Sequence, residues 1–162
     1  MGGNIFPIPW DTTKNVMTNF YELFRTETNL EVDGVWKEYA GGLVRVKIAR
    51  QGGKNIAFNK ALSKIGKRFE KAPNDTKEQI DRPWAEVFAA AVIKGFEVKV
   101  GDNWVSGVYV PDNNGNLQLV EANTENIIKV LLDLPDLFTK IKDDANEMNT
   151  FQKQEEEEDI KN

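Results

Sequence analysis

Apolar positions along this chain alternate between helical and strand spacing. Residues 1–12 carry Pro7, Pro9 and Trp10 with few helix formers and read as an extended arm. After a cap at Thr12 or Thr13, Val16, Met17, Phe20, Leu23 and Phe24 make one helical stripe. The period then drops to two. Residues 35–39 and 43–48 flank Ala40-Gly41-Gly42, whose glycines supply the positive φ angles of a tight hairpin turn. As a two-residue loop, that turn sets Tyr39 opposite Val44 and Glu38 opposite Arg45. Val35, Tyr39, Val44, Val46 and Ile48 then share a core face, and Glu38, Arg45 and Lys47 share the other.

Helical spacing returns at 55–71, with Phe58, Ala61, Leu62, Ile65 and Phe69 on one side and Lys60, Lys64, Lys67 and Arg68 over much of the rest. Pro73-Asn74-Asp75 breaks the chain, and Thr76 to Gln79 has capping-box spacing. Asp81 before Pro83 caps a second start. Trp84, Ala85, Val87, Phe88, Ala89, Ala90, Ala91, Val92 and Ile93 are apolar nearly all round, as a central buried helix requires, and Gly95 ends it. Residues 97–100 alternate like a short strand, with Trp104, Val108 and Val110 set over the core, and 111–116 are a loop. Asn123 or Thr124 opens a helix to Leu132, and Asp133 caps a restart. Leu134, Leu137, Phe138, Ile141, Ala145, Met148 and Phe151 then form one long stripe. The expected fold class is α+β, mainly α-helical with a small N-terminal β-hairpin and a disordered acidic C-terminal tail. Its parts are an arm and short helix (1–30), a core domain (31–152) and the tail (153–162).

Composition narrows the chemistry. With 162 residues and 40% hydrophobic content the chain suffices for one folded domain. Cysteine and histidine are absent, which removes disulfides, thiolate nucleophiles, Cys-type zinc sites and Ser-His-Asp triads. Neither an EF-hand spacing nor a phosphate-binding glycine loop is present. No enzyme, metal or cofactor is expected. The chain has no run of eighteen apolar residues and no basic, apolar leader after Met1, so a membrane span and a secretory signal are not expected either.

The net charge of −5 hides a split. From Arg45 to Lys71 nine basic residues face one acid, Glu70, whereas 153–162 holds five acids against Lys153 and Lys161. Solvated faces, a charged protein partner and nucleic-acid binding are the three readings. An acidic whole and the lack of a recognised motif weigh against nucleic acid.

A set of ordered features then stands out. Trp36 precedes the basic, apolar strand Leu43-Val44-Arg45-Val46-Lys47-Ile48-Ala49-Arg50, and a helix with Phe58 and Leu62 follows. Asp81 precedes the Ala89-Ala90-Ala91 helix. Trp104 and Gly107 mark a loop, Glu125-Asn126 opens a helix, and Leu131-Leu132 leads to Leu134-Pro135-Asp136-Leu137. Ala145, Phe151, an acidic run and Lys161-Asn162 complete it. This order, over residues 33–162, resembles one branch of the tail assembly chaperones of siphophages. The arm before residue 30 and the longer Trp104 region depart from that pattern.

The resemblance implies a protein that binds the tape measure protein in the host cytoplasm, keeps it soluble before tail-tube polymerisation and is absent from the virion. The tail tube protein and a second copy of the chain are further expected partners. It also implies a longer product made by programmed frameshifting, for which Ile160-Lys161-Asn162 permits an A-AAA-AAC slippery heptamer. The alternatives are a tail-completion or connector component of the virion and a small nucleic-acid-binding regulator.

The candidate partner-binding residues are Trp10, Leu137, Phe138, Ile141, Met148 and Phe151, with the acidic run Glu155, Glu156, Glu157, Glu158 and Asp159. For the helical stripe the competing assignment is core packing against the 84–93 helix. Trp10, an aromatic beside two prolines, is hard to place in a core and reads as docking on a partner or a second subunit. For the acidic run the competing assignment is a solvated tail, or a cover for the chain's own basic residues.

Overall fold

The hairpin expected at 35–48 forms, and it is one side of a larger sheet. The computed structural model describes residues 20, 21, 23–71 and 77–152. Strands β1 (Val35–Tyr39) and β2 (Val44–Ile48) pair with Tyr39 opposite Val44 and Glu38 opposite Arg45, as the turn chemistry requires. The connection is the four residues 40–43 rather than a two-residue loop, and it holds a short 3-10 turn with positive φ at Ala40, Gly41 and Gly42. Strand β2 then pairs with β3 (Ile93–Val100), and β3 with β4 (Asn103–Ser106). The result is a four-stranded antiparallel sheet in the order β1-β2-β3-β4. A second sheet is the two-stranded ribbon of β5 (Val108–Pro111) and β6 (Leu117–Val120).

The expectation of a mainly helical chain with one small hairpin is therefore corrected to a mixed architecture with two sheets. The physical reason lies at 91–95. The apolar helix ends at Ala91, and Ile93 opens a strand rather than closing the helix. Gly95 is no helix stop. It sits inside β3 opposite Lys47, at a point where another group approaches the backbone.

The helices are α1 (Thr28–Asp33), α2 (Ile56–Lys71), α3 (Lys77–Ala91), α4 (Thr124–Asp133) and α5 (Pro135–Asn146). Helix α3 runs through Pro83 without the restart expected there. Asn123 caps α4 by accepting the Asn126 N–H at 2.9 Å, and Pro135 opens α5 in the first turn, where its missing N–H costs nothing.

One face of the four-stranded sheet is apolar. Val46, Ile48, Phe96 and Val98 are all buried there. They join a core centred on Phe88 of α3, whose ring meets Phe58 of α2 at 6.0 Å and Phe138 of α5 at 5.2 Å, both edge-on. Each such side chain contributes roughly 1.5–3 kcal/mol by leaving water. Buried Asn55 fastens three elements at once. Its amide donates to the Arg50 carbonyl at 2.9 Å and the Ala91 carbonyl at 2.8 Å, joining the exit of β2 to the end of α3 at the start of α2.

Candidate partner-binding surface

Three arrangements stand out from the core. The first is the outer face of the four-stranded sheet. Strand alternation sends Trp36, Arg45, Gly95, Glu97, Lys99 and Trp104 to this side. The Arg45 guanidinium lies between two indoles, 4.6 Å from the Trp36 ring and 4.6 Å from the Trp104 ring, and pairs with Glu97 on β3. Lys99 sits 5.3 Å from the Trp104 ring. Glu38 lies opposite Arg45 as the hairpin register requires, and the guanidinium pairs with Glu97, on a strand the hairpin reading did not contain. Trp36 lies across to Gly95, where an added Cβ would stand 2.8 Å from Cη2 of the indole. Arg45 and Lys99 each already have an aromatic or carboxylate neighbour, so the stack reads as cross-strand cement.

The second arrangement is a clasp. Glu31 of α1 is buried, and its Oε1 pairs with the Arg50 guanidinium. Its Oε2 has no hydrogen-bond partner among the described residues. The Arg50 guanidinium also stands 6.0 Å from the Phe151 ring. Backbone bonds close the same region: Arg50 N–H to Glu31 O at 2.8 Å, Gln51 N–H to Ala145 O at 2.8 Å and Glu27 N–H to Phe151 O at 2.9 Å. The Gln152 amide donates to Leu23 O at 2.6 Å. An added Cβ at Gly53 would stand 2.6 Å from Glu31 Oε1, and φ there is +54°, so the loop closes over the carboxylate only with glycine.

The third arrangement is the β5–β6 ribbon. Val108 opposite Val120 places one face inward, and Val108 and Val110 are buried. The other face carries Tyr109 opposite Leu119 and Pro111 opposite Leu117. These four are exposed, Leu117 to 69%, Tyr109 to 43% and Leu119 to 41%. Three large apolar side chains gathered on one solvent face are more than scattered surface residues explain. Acids bracket the patch. Asp112 follows Pro111, Glu121 follows Val120, and from Val100 to Ile128 the chain has Asp102, Asp112, Glu121 and Glu125 but no lysine or arginine. Asp112 also shapes the ribbon's turn, accepting the Asn114 N–H at 2.8 Å and the Asn116 N–H at 2.9 Å.

The residues singled out from the sequence fall elsewhere. Phe138, Ile141 and Phe151 are buried in the core, Leu137 packs against it and Met148 is half-buried in a short 3-10 turn. Leu134 alone of that stripe is half-exposed, at 50%. Trp10, Glu155, Glu156, Glu157, Glu158 and Asp159 lie outside the described residues. The exposed ribbon face escaped the sequence reading, although Val108-Tyr109-Val110, a turn-rich 112–116 and Leu117-Gln118-Leu119 together carry a hairpin signature.

Among the described residues the basic stretch does not make one surface. Arg45 and Lys47 lie on the outer sheet face, Arg50 is in the clasp, and Lys54 donates to Thr28 Oγ1 at 2.9 Å. Lys60, Lys64 and Lys67 are exposed on α2, which packs on the opposite side of the sheet from Arg45. Among the described residues no group of three or more acidic, histidine or cysteine side chains is placed to hold a metal, and no helix is long and apolar enough to cross a membrane.

Comparison with known proteins gives the chain a phage origin. It belongs to the YdaY prophage protein family, which matches residues 51–162, more than half of its length. The matched span runs from the loop before α2 onward and includes the ribbon. No curated protein and no solved structure matches the chain.

Proposed function

We propose that this YdaY-family protein is a tail assembly chaperone, which binds the tape measure protein in the host cytoplasm and keeps it soluble until the tail tube encloses it. Membership of a prophage family and the ordered likeness to siphophage tail chaperones support the reading. The observation that carries it is the exposed apolar face of the β5–β6 ribbon, Tyr109, Pro111, Leu117 and Leu119. A long amphipathic protein awaiting assembly exposes apolar stripes. A small acidic binder with an open apolar face covers such stripes and keeps the complex in solution.

The test is co-expression with the tape measure protein of the same prophage. The wild-type chain is expected to raise the soluble fraction and co-purify, and Leu117→Asp to do neither while remaining folded. A tape measure protein equally insoluble with and without the chain would sink the proposal. Mass spectrometry of finished particles separates it from a virion component, because a chaperone is missing from them.

A further inference from the structure

We infer that the ribbon face selects amphipathic helices whose apolar stripe is flanked by lysine or arginine. The inference rests on the binding function proposed above and specifies the chemistry of its partner. Geometry argues for a helix. The two exposed rungs, Tyr109–Leu119 and Pro111–Leu117, are two residues apart along each strand, about 7 Å. Apolar residues one helical turn apart rise about 5–6 Å, so one helix face presents consecutive side chains to both rungs.

Charge argues for a basic flank. An acid stands at each end of the patch, Asp112 beside Pro111 and Glu121 beside Val120. Glu125 lies in the first turn of α4, which packs on β5, and its side chain is 77% exposed. Arg82 reaches Glu125 at 3.6 Å, and no basic residue between Val100 and Ile128 offsets Asp112 or Glu121. A helix with acidic flanks would meet like charge at both ends of the patch. A helix with basic flanks would exchange water for opposite charge around an apolar centre, which sets specificity and raises the association rate.

The test uses the full chain and two synthetic amphipathic peptides of about twenty residues, with the same leucine stripe and either lysine or glutamate flanks. Binding is followed by fluorescence anisotropy of a label on the peptide. The lysine peptide is expected to bind at least tenfold more tightly, to weaken several-fold as salt is raised, and to lose about tenfold or more with Leu117→Asp. Glu121→Lys is expected to narrow or reverse the preference, with folding checked by circular dichroism. Equal binding of the two peptides overturns the inference, as does lysine-peptide binding that ignores Leu117→Asp. If the tape measure protein is solubilised through Leu117 but the peptides show no charge preference, the chaperone reading stands and this inference falls. If the lysine peptide is selected but the tape measure protein stays insoluble, the inference stands and the chaperone reading falls.

Discussion

The Tyr39 hydroxyl donates a hydrogen bond to Asp144 Oδ2 at 2.7 Å, joining the last residue of β1 to α5 across 105 residues of chain. Tyr39 is buried, and burial is the main cause that holds its phenol far above the ordinary tyrosine range; the hydrogen bond to Asp144 and that carboxylate's charge act the same way. The folded protein therefore keeps a proton that the unfolded chain releases near pH ~10. The stabilisation is fully present below that pH and is lost as pH rises above it, by up to about 1.4 kcal/mol per pH unit. Urea unfolding from pH 8 to 11 is expected to show this decline. Tyr39→Phe should flatten it and cost about 1–2 kcal/mol at neutral pH. An unchanged pH slope in the variant would remove Tyr39 as its source.

Arg50 neutralises a carboxylate that water does not reach. Removing it leaves Glu31 charged and buried, with both oxygens unsatisfied. Arg50→Ala is expected to destabilise by about 3–5 kcal/mol, and Glu31→Gln by less, because a neutral amide is cheaper to bury than an unpaired ion. Thermal unfolding of the two variants ranks them. A loss below about 1 kcal/mol for Arg50→Ala would mean that solvent enters the clasp.

At Gly95 the indole of Trp36 occupies the space of a side chain. Gly95→Ala should cost about 1–3 kcal/mol and shift tryptophan emission as the ring is lifted. In a Trp36→Ala background the same substitution should be nearly neutral. Additive effects of the two changes would show that they do not meet.

The readable parts of the sequence were those where local chemistry and tertiary packing agree. The hairpin register followed from Gly41-Gly42 between alternating strands, and α2, α4 and α5 from long apolar stripes with recognisable starts. The rest failed for specific reasons. Ile93 continues the composition of α3, so nothing local marks the change from helix to strand at Val92. Strand β4 has only four residues, too short for a period to declare itself, and β5 and β6, equally short, are readable only as a pair across the turn at 112–116. In β6 the apolar phase is inverted, with Leu117 and Leu119 outward, so the usual rule sends them into the core. That inversion is the candidate site. The long stripe of α5 allowed either a partner surface or core packing on the 84–93 helix, and Phe138 and Ile141 are buried against Phe88 and its neighbours, as core packing requires.

The clasp also brings together two distant points of the described chain. Leu23 and Gln152 are hydrogen-bonded to each other, and Glu27 to Phe151. The bond between Leu23 and Gln152 spans 129 residues, so it closes nearly the whole described chain into one ring, and the clasp must offset the entropy of that closure. Cutting it would leave the closure to the backbone bond between Glu27 and Phe151.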